Sequence, residues 1–333
     1  MERVYVIAEA GVNHNGSPEL AMRLAAAAKA AGADAVKFQT FRAEKLASAT
    51  AAQAAYQKEN MGDTGSQLAM LKRLELSRED FRQLKAYCDS IGITFLSTAF
   101  DDESLDFLEE LNLPVLKIPS GEVTNLPLLE RLAATGKPLL LSTGMCDMDE
   151  VAAAVTLLKE KGAGDICLLH CTTAYPAPVD GVNLRAMVAM AEAFGLPVGY
   201  SDHTEGIQVP VAAVALGARV IEKHFTLDKT MEGPDHKASL TPDELTAMVA
   251  AVRSVEQALG DGVKAPTPAE LQNRAVARKS IVAACPIRRG EVFTEQNLTT
   301  KRPGDGLSPM CWHQVLGTTA CRDYDTDDLI VGE

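Results

Sequence analysis

Two histidines stand at the ends of two consecutive apolar runs. His203 closes the run V-G-Y-S-D-H, and His224 lies in the run V-I-E-K-H-F-T. Side chains alternate between the two faces of a strand, so Ser201 shares a face with His203, and Glu222 shares one with His224. If the runs are neighbouring parallel strands, both imidazoles and a carboxylate meet at one end of the sheet. The pattern predicts a site for one divalent ion with open coordination positions. The alternative is that each histidine packs in a satisfied core.

Further polar residues follow the same alternation near the ends of other apolar runs. A buried strand has no structural use for a lysine or a carboxylate, because an unpaired buried charge is costly. The residues are Glu9, Lys37, Gln39, Thr98, Lys117, Ser142, Ser201 and Glu222. The lysines and hydroxyl groups, with Ser120 added, predict a cationic pocket that suits a phosphate and a carboxylate. Alternatively, Lys37 or Lys117 forms a Schiff base with a carbonyl substrate, as in an aldolase.

Short apolar runs must position these residues. They begin near Val4, Ala35, Thr94, Val115, Pro138, Ile166, Pro197 and Val220. Amphipathic stretches lie between the runs, several of them opened by helix-start signals and closed by glycine. This alternation predicts an α/β fold with a parallel sheet covered by helices. Eight such units favour a closed (β/α)8 TIM barrel, which holds its chemistry at the carboxyl ends of the strands.

The pattern changes after residue 260. Residues 1–260 are assigned to the TIM-barrel catalytic domain, and residues 261–277, which are polar and contain Pro266 and Pro268, to a linker. Residues 278–333 carry short β-type runs and tight turns, which predicts a small, mostly β domain. The connection at residues 43–76 is longer than the others, and we expect either a lid or a plain loop there.

The composition excludes several classes of partner. The chain has 333 residues, of which 47% are hydrophobic, and a net charge of -13. Without a basic surplus, we expect binding neither to nucleic acid nor to an anionic membrane. No apolar run has the length of a membrane span. The seven cysteines show no C-x-x-C pair, which predicts reduced thiols and a cytoplasmic protein.

Several long segments resemble the sialic acid synthase family. They are residues 7–16 (I-A-E-A-G-V-N-H-N-G), 36–40 (V-K-F-Q-T), 117–122 (K-I-P-S-G-E), 141–145 (L-S-T-G-M), 169–178 (L-H-C-T-T-A-Y-P-A-P), 200–204 (Y-S-D-H-T), 222–226 (E-K-H-F-T), 233–240 (G-P-D-H-K-A-S-L) and 301–306 (K-R-P-G-D-G). The resemblance covers essentially the whole chain, and the C-terminal part resembles the antifreeze-like (SAF, β-clip) domain. It implies a metal-dependent transferase that condenses phosphoenolpyruvate with an N-acylated mannosamine-type sugar. The product is a nonulosonic (sialic-type) acid, and phosphate is released.

The resemblance also implies a role for each matching residue. His203 and His224 would bind Mn²⁺ or Mg²⁺. Phosphoenolpyruvate would be held by Lys37, Thr98, Lys117, Ser120, Ser142 and Ser201. Gln39, Tyr175, Asp235 and the catalytic carboxylate Glu9 would face the sugar. The other catalytic carboxylates, Glu122 and Glu222, would lie near the reacting carbons.

Two more positions complete the implied site. Thr173 stands where sialate-forming members have Asn, which leaves its contact with phosphoenolpyruvate open. Arg302, in K-R-P-G-D-G, would reach the sugar in the partner subunit's active site, within a domain-swapped homodimer.

The residues around the expected sugar site resemble those of bacterial legionaminic acid synthases. This resemblance implies 2,4-diacetamido-2,4,6-trideoxymannose as the sugar. Phe38, Phe41 and Ala177 are apolar, and we expect them to surround the 6-deoxy end and the extra acetamido group. Synthesis of N-acetylneuraminate from N-acetylmannosamine is the alternative. A more remote alternative is a non-catalytic barrel that only binds sugar acids.

Overall fold

The structure is a computed structural model that describes residues 3–61 and 66–332. The chain divides into two compact units, Met1–Gly260 and Asp261–Glu333.

The first unit is a closed barrel of parallel strands. Within the described residues, eight strands pair in chain order, and the last pairs with the first. The strands are β1 (Tyr5–Gly11), β2 (Ala35–Thr40), β3 (Thr94–Ala99), β4 (Leu116–Ile118), β5 (Leu139–Ser142), β6 (Ile166–Cys171), β7 (Val198–Asp202) and β8 (Val220–His224). Each strand falls in one of the predicted apolar runs. The TIM-barrel prediction is therefore confirmed.

Helices follow the strands, and those outside the long connection after β2 bury their apolar faces against the outside of the barrel. They are α1 (Pro18–Ala30), α2 (Ala43–Leu46), α3 (Ala55–Met61), α4 (Gln67–Leu74), α5 (Arg78–Ile91), α6 (Asp102–Glu110), α7 (Leu126–Ala134), α8 (Met148–Glu160), α9 (Leu184–Phe194), α10 (Gln208–Ala215) and α11 (Pro242–Leu259). Ser77 and Thr241 form capping boxes at the starts of α5 and α11, which satisfy backbone donors that a helix leaves unpaired. In the described part of the chain, no helix is both long and apolar enough to cross a membrane.

The interior of the barrel changes from apolar to polar along the strands. A buried apolar layer fills the lower part of the barrel with Ile7, Ala35, Leu96, Leu140, Leu169 and Val220. Two positions further along the same strands come Glu9, Lys37, Thr98, Ser142, Cys171 and Glu222. Because strand side chains repeat every second residue, this second set also faces inward, at the carboxyl ends.

The long connection after β2 contains the three helices α2, α3 and α4, and residues 62–65 of it lie outside the described residues. Apolar side chains of this segment, among them Met70, Leu71 and Leu74, form a cluster with Val12 and Phe41. The connection is thus anchored to the barrel by a small core of its own.

The second unit starts with the predicted linker, of which Pro268–Ala277 form helix α12. Thr267 and Glu270 make a capping box there, and Pro268 occupies the first turn, where its missing N–H does no harm. The proline therefore starts a helix instead of marking extended chain. Strands β9 (Ser280–Ala283) and β10 (Leu298–Lys301) pair antiparallel, and a short helix α13 (Trp312–Val315) follows. The core of this second unit includes Ile281, Ile287, Phe293, Leu298 and Tyr324.

Candidate functional site

A cavity of about 490 Å³ lies at the carboxyl ends of the barrel strands. Most of the predicted site residues line it. These are Glu9, Lys37, Gln39, Thr98, Lys117, Ser120, Ser142, Thr173, Tyr175, Ser201, His203, Glu222 and His224. Residues that are far apart in the sequence meet here because the parallel strands all end at the same face of the barrel.

Two lysines and two glutamates alternate at the base of the cavity. The Lys37 Nζ lies 2.7 Å from the Glu9 Oε2 and 3.6 Å from the Glu222 Oε2, and it donates to the Thr98 Oγ1 at 3.0 Å. The Lys117 Nζ lies 3.6 Å from the Glu222 Oε1. All four charged side chains are buried, so each charge depends on its neighbours for stabilisation.

Burial and neighbouring charges shift these pKa values in different directions. Burial raises the pKa of Glu9, and Lys37 offsets this only in part. Burial also acts on Glu222, but Lys117 and Lys37 outweigh it and lower the pKa of that carboxyl. Glu222 is therefore the more firmly ionised of the two carboxylates. Burial lowers the pKa of Lys117, whereas Glu222 and Glu9 raise the pKa of Lys37 in spite of burial.

Hydroxyl groups crowd together beside the lysines. The Ser120 Oγ accepts from the Gly144 N at 2.9 Å. A Cβ on Gly144 would lie 2.2 Å from the Thr173 Oγ1 and 2.8 Å from the Ser120 Oγ, so only glycine lets these loops approach so closely. The Ser142 Oγ is buried and has no hydrogen-bond partner among the described residues. The arrangement offers several donors to an anionic ligand.

The two histidines face each other with ring centroids 5.5 Å apart. The His203 Nδ1 hydrogen-bonds with the Thr172 carbonyl O at 2.8 Å, which leaves Nε2 for a ligand. The His224 Nδ1 is buried without a hydrogen-bond partner in the described residues. Burial and the nearby His203 hold the pKa of His224 well below its usual value. A neutral imidazole is the form that binds metals.

The donor set limits how a metal could bind. Within residues 3–61 and 66–332, no group of three or more His, Cys, Asp and Glu side chains is arranged to hold an ion. The two imidazoles fit a divalent ion that takes two ligands from the protein and leaves its other positions to substrate and water. Tyr175 lies against both rings, with centroids 4.2 Å from His203 and 6.0 Å from His224.

Three predicted site residues lie outside this cavity. Glu122 belongs to a 3-10 turn (Ser120–Glu122), and its Oε2 accepts from the Asn125 Nδ2 at 2.6 Å. Asp235 lines an adjoining cavity of about 270 Å³. Arg302 belongs to the second unit, where its Nε donates to the Ala277 carbonyl O at 3.0 Å.

The expected apolar lining from Phe38, Phe41 and Ala177 is wrong, because none of these residues lines either cavity. Lys37 and Gln39 point into the barrel, so Phe38 between them points outward, and it stacks on Phe95. Phe41 packs in the apolar cluster under the long connection. Ala177 is buried beside His203, to whose carbonyl O its N donates at 2.8 Å, but it lines neither cavity.

The cavity also contains residues that the sequence analysis did not select. Tyr56, Gln57 and Gln67 come from the long connection and line both cavities, and Tyr56 stacks on Tyr175 with centroids 5.1 Å apart. The Cys171 Sγ lies 3.7 Å from the His203 Nδ1. Strand alternation could have found Cys171, which lies two residues after Leu169. Tyr56 lies in a helix of an irregular connection and gives no such signal.

Comparison with known proteins identifies the family. The NeuB family matches residues 24–264, and the SAF domain matches residues 278–332. The chain belongs to the NeuB family. This NeuB chain is 50% identical over 332 residues to the N,N'-diacetyllegionaminic acid synthase of Campylobacter jejuni subsp. jejuni serotype O:2, with 99% of each chain covered. The resemblance predicted from the motifs is confirmed.

Two further NeuB relatives support the assignment. The N,N'-diacetyllegionaminic acid synthase of Legionella pneumophila is 48% identical over 333 residues, covering 99% of this chain and 94% of that one. The crystal structure of the N-acetylneuraminic acid (sialic acid) synthetase from Leptospira borgpetersenii, in complex with citrate, matches with a TM-score of 0.72 at 34% identity. That match covers 82% of this chain and 90% of the other.

Proposed function

We propose that this chain is an N,N'-diacetyllegionaminate synthase. It would condense phosphoenolpyruvate with 2,4-diacetamido-2,4,6-trideoxymannose and release phosphate. The observation that carries the proposal is the single cavity in which two lysines, several hydroxyl groups and two imidazoles meet. The 50% identity to the Campylobacter synthase supports the choice of product.

The lysines and hydroxyls would bind phosphoenolpyruvate. Its phosphate and carboxylate need cationic and hydrogen-bonding groups, and Lys37, Lys117, Ser120 and Ser142 lie together in the cavity. Charge-assisted hydrogen bonds of this kind would also stabilise the phosphate as it leaves. This assignment gives a ligand to the buried Ser142 Oγ, which has no hydrogen-bond partner in the part of the chain that the structure describes.

The histidines would bind the metal ion. Mn²⁺ or Mg²⁺, held by His203 and His224, would polarise the aldehyde of the open-chain sugar as a Lewis acid. The methylene carbon of phosphoenolpyruvate attacks that aldehyde, and water adds to the carbon that bears the phosphate. Glu222, firmly ionised and held by the Ser201 Oγ at 2.9 Å, would orient that water by accepting a hydrogen bond from it. The proton that the water loses would pass to the alkoxide formed from the aldehyde. The tetrahedral intermediate then loses phosphate.

The adjoining cavity supports a sugar with an apolar end. It shares Gln39, Tyr56 and Tyr175 with the main cavity, so the two spaces lie side by side. Its other walls include the apolar side chains of Val12, Leu46, Met70, Leu71, Leu74 and Phe100. A 6-deoxy methyl group and an acetamido methyl group would bury apolar surface there, whereas the terminal hydroxyl of N-acetylmannosamine would lose hydrogen bonds to water. N-acetylneuraminate synthesis is therefore the second choice of reaction.

One observation favours a second mechanism. Burial lowers the pKa of Lys117, and a lower pKa increases the fraction of neutral amine, which is the form that can react with a carbonyl substrate to give a Schiff base. Borohydride added to enzyme and substrate, followed by mass spectrometry, separates the two mechanisms. A reduced adduct at Lys117 or Lys37 would support the aldolase and contradict the condensation proposed here.

The proposal includes a domain-swapped homodimer in the cytoplasm. In such a dimer Arg302 would complete the partner subunit's sugar pocket, and delivery across a two-fold axis avoids wrapping the chain back around its own barrel. The seven cysteines are free thiols, which fits a reducing compartment.

The test of the proposed function is phosphate release. With Mn²⁺, release from phosphoenolpyruvate should require the sugar and should stop when EDTA removes the metal. Release that does not depend on the sugar would contradict the proposal. A chain that binds both substrates but never releases phosphate would instead be a sugar-acid-binding barrel.

A further inference from the structure

A fully buried ion pair joins β7 and β8 on the outer side of the barrel. Asp202 and Lys223 are register partners in these strands, and both side chains are 0% exposed. The Lys223 Nζ donates to the Asp202 Oδ2 and to the Thr204 carbonyl O. Ser201 and Glu222 line the cavity, so the residues next to them point away from it. The pair therefore contacts none of the proposed substrates.

The same pair is connected to the backbone on both sides of His203. The Thr204 N donates to the Asp202 Oδ1 at 3.0 Å, and the Thr204 Oγ1 donates to the Asp202 Oδ2 at 3.0 Å. Asp202 and Thr204 flank His203, and Lys223 comes directly before His224. One ammonium group thus links both neighbours of His203 to the residue before His224.

The direct hydrogen bonds of His203 are made to the end of β6 and the connection after it, and not to β8. Its carbonyl O accepts from the Ala177 N at 2.8 Å, and its ring bonds with the Thr172 carbonyl O. Both partners belong to the connection after β6, and His203 lies beyond the last register pair of β7 with β8. Strand pairing alone therefore does not fix the distance from His203 to His224, and the hydrogen bonds to Lys223 supply that link.

We propose that the clamp formed by Asp202, Thr204 and Lys223 positions His203 and His224 for a divalent ion. The inference rests on the proposed metal-binding role of the two histidines. Fold stability alone gives little reason for the clamp, because apolar residues of similar volume often replace a buried ion pair at no loss of stability. Removing a group that orients a metal ligand without binding the metal itself commonly lowers metal affinity by about 10–100-fold.

The test measures Mn²⁺ binding to the full-length chain without substrates, by electron paramagnetic resonance titration. The double variant Asp202→Asn/Lys223→Met removes both charges, so neither is left buried and unpaired. We expect its Mn²⁺ affinity to fall about 10–100-fold. High Mn²⁺ concentrations should restore its turnover. Thr204→Val removes one hydroxyl donor and keeps the ion pair, so its loss of affinity should be smaller.

Arg253→Met provides a matched control at the other end of the barrel. The Arg253 Nη2 lies 2.7 Å from the Asp34 Oδ2, and its Nη1 donates to the Val4 carbonyl O at 2.7 Å. These contacts lie at the amino ends of β1 and β2. The variant should lower the thermal midpoint and leave Mn²⁺ affinity unchanged, which separates a loss of stability from a loss of positioning.

The possible outcomes are distinct. A folded double variant that binds Mn²⁺ as tightly as the wild type overturns the clamp and leaves the metal site standing. A wild-type chain that binds no Mn²⁺ overturns the metal site and the clamp together. If the double variant does not fold, the Thr204→Val titration decides, and unchanged Mn²⁺ affinity in that variant overturns the proposal.

Discussion

The Asp235 carboxyl should destabilise the metal-free protein at neutral pH. Asp235 is buried in the wall of the adjoining cavity. Burial raises its pKa from 3.8 to about 6, although His203 acts in the opposite direction. When the pKa of a carboxyl is higher in the folded state than in the unfolded state, the folded state favours the protonated carboxyl. The difference corresponds to about 3 kcal/mol of lost stability once both states are ionised.

Asp235→Asn should therefore stabilise the metal-free protein, by up to about 3 kcal/mol at pH 7.5. The sign follows from the titration. The destabilisation is absent well below pH 3.8, where Asp235 is protonated in both states, and it grows as pH rises from 3.8 through about 6. Urea unfolding at several pH values, followed by circular dichroism, measures the difference. The gain of the variant should shrink as the pH is lowered from 6 towards 4.

Asp228→Asn is the matched control in the same loop. The Asp228 Oδ1 accepts from the Thr230 N at 2.8 Å, and this hydrogen bond holds the pKa of Asp228 below its ordinary value. Its ionised form contributes stability above the unfolded pKa, so this variant should gain none at pH 7.5. An Asp235→Asn protein that is less stable than the wild type at pH 7.5, or whose gain does not change with pH, would refute the reasoning.

Three further predictions test the proposed site. His203→Ala or His224→Ala should abolish turnover. The thermal midpoint should stay near that of the wild type, because the apolar layer of the barrel is untouched. Near-wild-type turnover in metal-buffered medium would contradict the assignment of these histidines as metal ligands. Lys117→Met should raise the KM for phosphoenolpyruvate by about 10–100-fold, since a hydrogen bond to a charged group contributes about 1.5–3 kcal/mol. Initial rates at varied phosphoenolpyruvate concentrations measure this KM. An unchanged KM would exclude a contact between Lys117 and phosphoenolpyruvate. Arg302→Ala and His203→Ala chains, each inactive alone, should regain activity when their subunits exchange. No recovery in a proven heterodimer would mean that Arg302 acts in its own chain or not at all.

The barrel and the base of its cavity could be predicted because both follow the period of a strand. Lys37 lies two residues after Ala35, and Glu222 lies two residues after Val220, so each continues an inward-facing row. The same rule would have selected Cys171 and would have placed Phe38 outside the barrel. The expectation that Phe38 contacts the sugar came from comparing subfamilies and ignored this alternation.

The upper part of the cavity could not be predicted in this way. Tyr56 and Gln57 belong to a helix of the long connection after β2, and local sequence does not say where such a helix packs on the barrel. Glu122 follows β4 in a 3-10 turn, where strand alternation no longer applies, and the side chain bonds with Asn125 instead of reaching the cavity. The role of Arg302 across subunits stays a prediction, because it depends on how two chains assemble.

The most direct test of the central claim is a comparison of two sugars. Purified chain with Mn²⁺ and phosphoenolpyruvate is given either 2,4-diacetamido-2,4,6-trideoxymannose or N-acetylmannosamine, and kcat/KM is measured from phosphate release. We predict a higher kcat/KM for the diacetamido sugar, with a product whose mass is that of N,N'-diacetyllegionaminic acid. A higher kcat/KM for N-acetylmannosamine would contradict the assigned substrate, and no sugar-dependent phosphate release with either sugar would contradict the proposed reaction itself.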